Sequence, residues 1–121
     1  MLDLASHDLE SAMRGLVRAM IAAHRVDPEL HRIFSEEVPR MGQLAEVETI
    51  KREILTLVRS YMDQRREEID VENLDTAAFI CVTTVETLTH EIVIRHPRLS
   101  DREEADYVEQ VTRLMIRYLA R

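Results

Sequence analysis

"DTAAFICVTTVETLTHEIVIRHP", residues 75–97, decides how this chain folds. The stretch is too long for one strand, which usually runs about 3–10 residues. Between Asp75 and Glu86 it carries no charge. A helix on the surface of a small domain shows one apolar stripe and one polar face. Two stripes are present here. Ala78, Cys81, Val82, Val85, Leu88 and Ile92 line one side of a helix. Thr76, Phe79, Ile80, Thr83, Thr87, His90 and Ile94 line another, roughly opposite. One stripe can face the core of the domain. The second needs a different cover, either the remaining helices or a second copy of the chain. A second copy implies a two-fold dimer, with helices 75–96 and 101–119 packing on their mates as a four-helix bundle. The threonines suit that role, being small enough for close helix approach. Glu86 and His90, four apart, could pair along or across such an interface.

On either side the chain reads as further helices with short punctuation. Ser6 can cap a helix running to about Arg25, with Leu9, Met13, Leu16, Val17, Met20 and Ile21 on one face. "DPEL" (27–30) opens a short second helix, 28–37, which carries Leu30 and Phe34 inward. Pro39 and Gly42 mark a joint. A third helix spans about 44–68, with Val47, Ile50, Ile54, Leu57, Val58, Tyr61 and Met62 in period. "EIDVEN" (68–73) breaks that period, and Asn73 can cap the central helix. Pro97 ends it, and Ser100 with Glu103 forms a capping box for the last helix. That helix buries Val108, Val111, Met115, Tyr118 and Leu119, while Tyr107 and Leu114 lie off its stripe. The expectation is an all-α domain of five helices.

Composition agrees with one compact domain. The 121 residues include two glycines, three prolines and no tryptophan, which disfavours a turn-rich β fold. A net charge of -7, with basic residues scattered, makes the chain a poor ligand for nucleic acid. The single cysteine, Cys81, reads as a small buried hydrophobe of a reduced, cytoplasmic protein. No signal peptide is visible, and no run is expected to match the roughly 20 apolar residues of a membrane span.

Four stretches together carry a family resemblance. They are "RGLVRAMIAAHRVDPELHRIFSEEVPRMG" (14–42), "VRSYMDQRREEI" (58–69), "NLDTAAFICVTTVETLTHEIVIRHPRLSD" (73–101) and "YVEQVTRLMIRYLAR" (107–121). In order and spacing the chain resembles the C-terminal regulatory domain of the tetracycline-repressor (TetR) family of bacterial transcription regulators. The resemblance implies a helical domain that dimerises through its last two helices and encloses a pocket for an effector. Helices 75–96 and 101–119 would be the pairing elements. Helices 6–25, 28–37 and 44–68, with the inner face of 75–96, would form the pocket. The family's helix-turn-helix region has no counterpart here, since no helix offers Arg, Lys, Asn and Gln for base edges. This polypeptide alone is expected not to bind an operator, and DNA would be reached only through such a domain.

On that basis Met13, Val17, Met20, His24, Phe34, Leu55, Val58, Met62, Phe79 and Val82 are the expected lining of a pocket for a small hydrophobic effector. The same residues could simply pack the core. His24, His31, Tyr61 and Thr83 could supply orienting polar contacts. The expected homodimer interface comprises Thr76, Phe79, Ile80, Thr83, Thr87, His90 and Ile94, with Val111, Leu114, Met115 and Tyr118. No cofactor, metal or membrane partner is expected. The five histidines lack metal-ligand spacing, and no paired-Cys or His-Glu-x-x-His pattern occurs. Catalysis is not expected either. There is no Gly-rich phosphate loop, and Gly15 and Gly42 stand in no nucleophile elbow.

Overall fold

The computed structural model describes residues 7–25 and 44–121, with backbone only at residues 44–48 and 50. Four α-helices make up this part: α1 Leu9–Arg25, α2 Leu44–Gln64, α3 Leu74–Arg95 and α4 Asp101–Leu119. A single 3₁₀ turn, Arg66–Glu68, follows α2. Among the described residues there is no strand, only an isolated antiparallel bridge between Ile69 and Ala120. The expected short helix at 28–37 lies outside the described residues.

Capping sets the helix boundaries. Asn73 accepts hydrogen bonds from the N–H groups of Asp75 and Thr76, at 3.1 and 3.2 Å, so α3 begins where its cap was expected. Ser100 and Glu103 exchange side-chain-to-backbone bonds, both 3.1 Å, and complete the capping box of α4. The start of α1 differs from expectation. Asp8 acts as the cap: its Oδ1 accepts from Ser11 N–H at 2.8 Å, and its carbonyl from Ala12 N–H at 2.9 Å, while Ser6 lies outside the described residues.

The end of α2 also differs. The regular helix stops at Gln64, four residues before the expected end. Arg65 N–H there divides itself between the carbonyls of Tyr61 and Met62, 3.1 Å from each, and the chain tightens into the 3₁₀ turn. The Arg66 guanidinium then gathers the connector by donating to the carbonyls of Val71 and Glu72, at 2.8 and 2.9 Å.

α3 is the central element, with α1 and α2 packed on it and α4 folded back after the 96–100 turn. Arg59–Asp75 (2.8 Å) and Lys51–Glu86 (3.5 Å) run α2 antiparallel to α3. Arg14–Glu109 (2.7 Å) and Arg25–Glu104 (3.0 Å) do the same for α1 and α4. Beneath these ion pairs lies one core of aliphatic and methionine side chains drawn from all four helices and from Ile69.

On α3 the buried positions are Leu74, Ala77, Ala78, Cys81, Val82, Val85, Thr89 and Val93. The stripe therefore winds around the helix. In its second half Thr89 and Val93 are buried, while Leu88 packs half-buried against the core as expected and Ile92 is only half-buried. A second correction concerns apolarity. α3 is, by length and composition, long and apolar enough to cross a membrane, with a window of mean hydropathy 1.4. In this fold that apolar character serves helix packing, since its inner stripe forms part of the common core.

Candidate functional site

Most of the residues expected to line a pocket converge where α1, α2 and α3 meet. Met13 and Val17 from α1, Val58 and Met62 from α2 and Val82 from α3 are wholly buried in one cluster. Met20 joins them, and Leu55 packs against the cluster from a half-buried position. Phe34 lies outside the described residues. Phe79 does not belong: it projects outward from α3 while Val82 points in.

The polar end of this region is built by two histidines. His24, in the last turn of α1, is buried, and its Nδ1 lies 2.8 Å from the carbonyl oxygen of Met20, one turn back. Its ring meets that of His90 on α3 edge to face, with centroids 6.0 Å apart and planes at 71°. His90 was expected on the pairing face. It is half-buried and in contact with α1 instead. Tyr61, expected to orient a ligand, is already engaged: its hydroxyl donates to the His7 carbonyl at 2.8 Å. Burial pushes its phenol pKa up. Thr83 is half-buried, and its hydroxyl oxygen is sealed from solvent without a hydrogen-bond partner. His31 lies outside the described residues.

Two buried groups nearby were not foreseen. Thr89 and Thr112 place hydroxyls inside the core from α3 and α4. Thr89 lies against Tyr107, whose phenol pKa is raised by burial and drawn back by that contact. Cys81 is buried, and desolvation pushes its thiol pKa up to about 12, which leaves it protonated and unreactive at neutral pH. Among the described residues no group of three His, Cys, Asp or Glu side chains could hold a metal ion.

An open groove of about 450 Å³ runs between α1 and α4, away from the expected pocket. Arg18, Ile21, Ala22 and Arg25 form one wall, and Asp101, Glu104, Ala105 and Val108 the other. The repeated i, i+3, i+4, i+7 spacing on both helices was the available signal for it.

The outer side of the α3–α4 hairpin carries large exposed apolar side chains. Phe79, Ile80 and Leu114 are 53%, 37% and 50% exposed. Thr76 and Thr87 are exposed beside them on α3, and Ile94 and Tyr118 are half-buried. Val111 and Met115 must be removed from the expected interface. They are only 4% and 2% exposed, because they share the inner stripe of α4 with Val108 and Leu119 and pack in the chain's own core.

The described residues thus define an all-helical domain with one apolar core shared by all four helices and an uncovered apolar flank on the α3–α4 hairpin. Residues 8–119 match the family described as "Tetracyclin repressor-like, C-terminal domain", and the chain belongs to that family. Domains of this family are parts of transcription regulators, which are not enzymes, and their general role is regulatory ligand binding and dimerisation. No curated protein and no solved structure matches the chain.

Proposed function

We propose that the chain is the effector-sensing and dimerisation domain of a TetR-like transcriptional regulator acting in the cytoplasm. A small, mainly apolar effector enters among Met13, Val17, Met20, Leu55, Val58, Met62 and Val82, with His24 and His90 at the polar end. Two copies pair through the outer face of α3 and α4. DNA is read by a helix-turn-helix domain to which this domain is coupled. The observation that carries this reading is the double face of α3. Ala78, Val82 and Val85 lie in the core, while Phe79 and Ile80 stand exposed on the same helix. One rigid element therefore touches both the place where a ligand binds and the place where a partner packs.

The mechanism is a population shift. An effector that favours one arrangement of α1, α2 and α3 changes how α3 is presented to the partner copy. The spacing of two DNA-reading heads changes with it. A fusion of this domain to a helix-turn-helix head, titrated with a panel of small apolar compounds, should lose or gain operator binding with at least one of them. Operator affinity unchanged across a broad panel would sink the sensing role.

A second reading keeps the dimer and drops the effector. It is favoured by the complete burial of Met13, Val17, Val58, Met62 and Val82 in one continuous core. Under that reading the fusion dimerises and binds its operator identically with every compound.

A further inference from the structure

At one end of the domain, three chain segments that are remote in sequence are tied to a single short connector. The first is the entry to α1. The His7 carbonyl accepts two hydrogen bonds from α2's end, from the Tyr61 hydroxyl and the Arg65 guanidinium, both at 2.8 Å. The second segment is the end of α2 itself. Arg65 lies 5.6 Å over the Tyr61 ring and reaches Glu68 at 3.4 Å. The third is the end of α4. Asp70 N–H donates to the Leu119 carbonyl at 2.7 Å, and Arg121 N–H to the Glu68 carbonyl at 3.2 Å. These two bonds flank the Ile69–Ala120 bridge, and Ile69 is wholly buried beneath it.

Each of these segments is a helix terminus. Helix termini are where backbone groups lack intrahelical partners and where fraying costs least. Left alone, the start of α1 and the ends of α2 and α4 would open independently. Here the His7 carbonyl takes side-chain donors from the end of α2, and the Leu119 carbonyl and Arg121 N–H pair with the connector that follows α2. A carbonyl with two donors from another helix, one of them a guanidinium, is a stronger anchor than an ordinary cap.

The geometry points to a latch: Tyr61 and Arg65, with the 65–70 connector, couple the start of α1 to the end of α4, so that three helix ends open and close as one unit. Tyr61 sits between Val58 and Met62, which α2 sends into the core. A displacement of α2 therefore reaches both ends at once. The latch stands whether or not an effector binds.

The test is amide hydrogen exchange, resolved by residue, on the full chain without ligand. Arg65→Ala removes the guanidinium from His7 and Glu68 at a partly exposed position. In this variant Ser11 and Ala12, at the α1 entry, should exchange roughly tenfold faster, as loss of a charged hydrogen bond predicts. Asp70 and Arg121 should speed up by a similar factor, although neither donates to Arg65. Ala77 and Glu104, at the starts of α3 and α4, should not change. The reciprocal variant is Arg121→Pro, which deletes the N–H that meets Glu68. Ala120 already has φ -75° and ψ 143°, as a residue before proline requires. By linkage it should accelerate Ser11 and Ala12. Acceleration confined to the mutated side in both variants would overturn the latch. So would no change in either, or equal acceleration at Ala77 and Glu104, which would report only global opening.

Discussion

Cys81 shows how far one position fixes its own chemistry. Its neighbours Ile80 and Val82 already mark it as a small hydrophobe, and burial in α3 raises its pKa to about 12. The native protein should therefore resist iodoacetamide at pH 8 and be labelled promptly once unfolded in urea, as mass spectrometry would read. Labelling of the native protein at the rate of a free thiol would contradict the burial. Val82 and Phe79 were both expected to line the pocket; Val82 lies in the core cluster, whereas Phe79 is exposed. They lie a turn or less apart along α3, and a stripe drawn from sequence cannot decide which flank its neighbours cover. His90 has the same history, since its contact with His24 joins residues on α1 and α3.

Helix ends were legible where the signal was local. Asn73, Ser100 and Glu103 act within four residues of themselves, and the fold uses them as read. Ser6 and Asp8 are both good cap residues, and local preference could not separate them. The long-range bonds from Tyr61 and Arg65 to the His7 carbonyl fix the chain immediately before Asp8. Asp8 and Glu103, which hold cap bonds, and Glu109, which pairs with Arg14, have pKa values below the ordinary carboxylate range. The hydrogen bonds that favour their charged forms are the leading cause. Their contribution to stability is therefore present above the unfolded carboxylate pKa. It is lost as pH falls through the lower folded values. Urea midpoints should be flat near neutrality and fall below about pH 4, the usual carboxylate range. Asp8→Ala and Ser100→Ala should each lower stability at pH 7, Ser100→Ala by about 1 kcal/mol. For Asp8→Ala that cost should shrink at acid pH, since the lost cap bond belongs to the carboxylate, whereas Ser100→Ala loses a hydroxyl. An acid-insensitive cost for Asp8→Ala would show that the carboxylate bond is not the source.

At the scale of the whole molecule, the helical class and the central place of 75–96 were visible from periodicity and punctuation. The tie between Ile69 and Ala120, fifty-one positions apart, was not, because no local pattern announces a single bridge. The division of α4 was half legible. Val111 and Met115 lie in the core, as the buried stripe predicted, although they were also assigned to the interface, and Leu114, placed off the stripe, is exposed. On the outer side of the α3–α4 hairpin Phe79, Ile80 and Leu114 remain as large exposed apolar side chains.

The central claim is that α3 serves the core with one face and a second copy with the other. Sedimentation equilibrium of the purified chain at tens of micromolar, roughly the range where a specific interface holds, tests it directly. The account predicts about twice the 14.1 kDa chain mass for the wild type. It predicts a shift toward the single-chain mass for Phe79→Arg and Ile80→Arg, with far-UV helicity retained. A wild-type chain that sediments at 14.1 kDa across that range would contradict it.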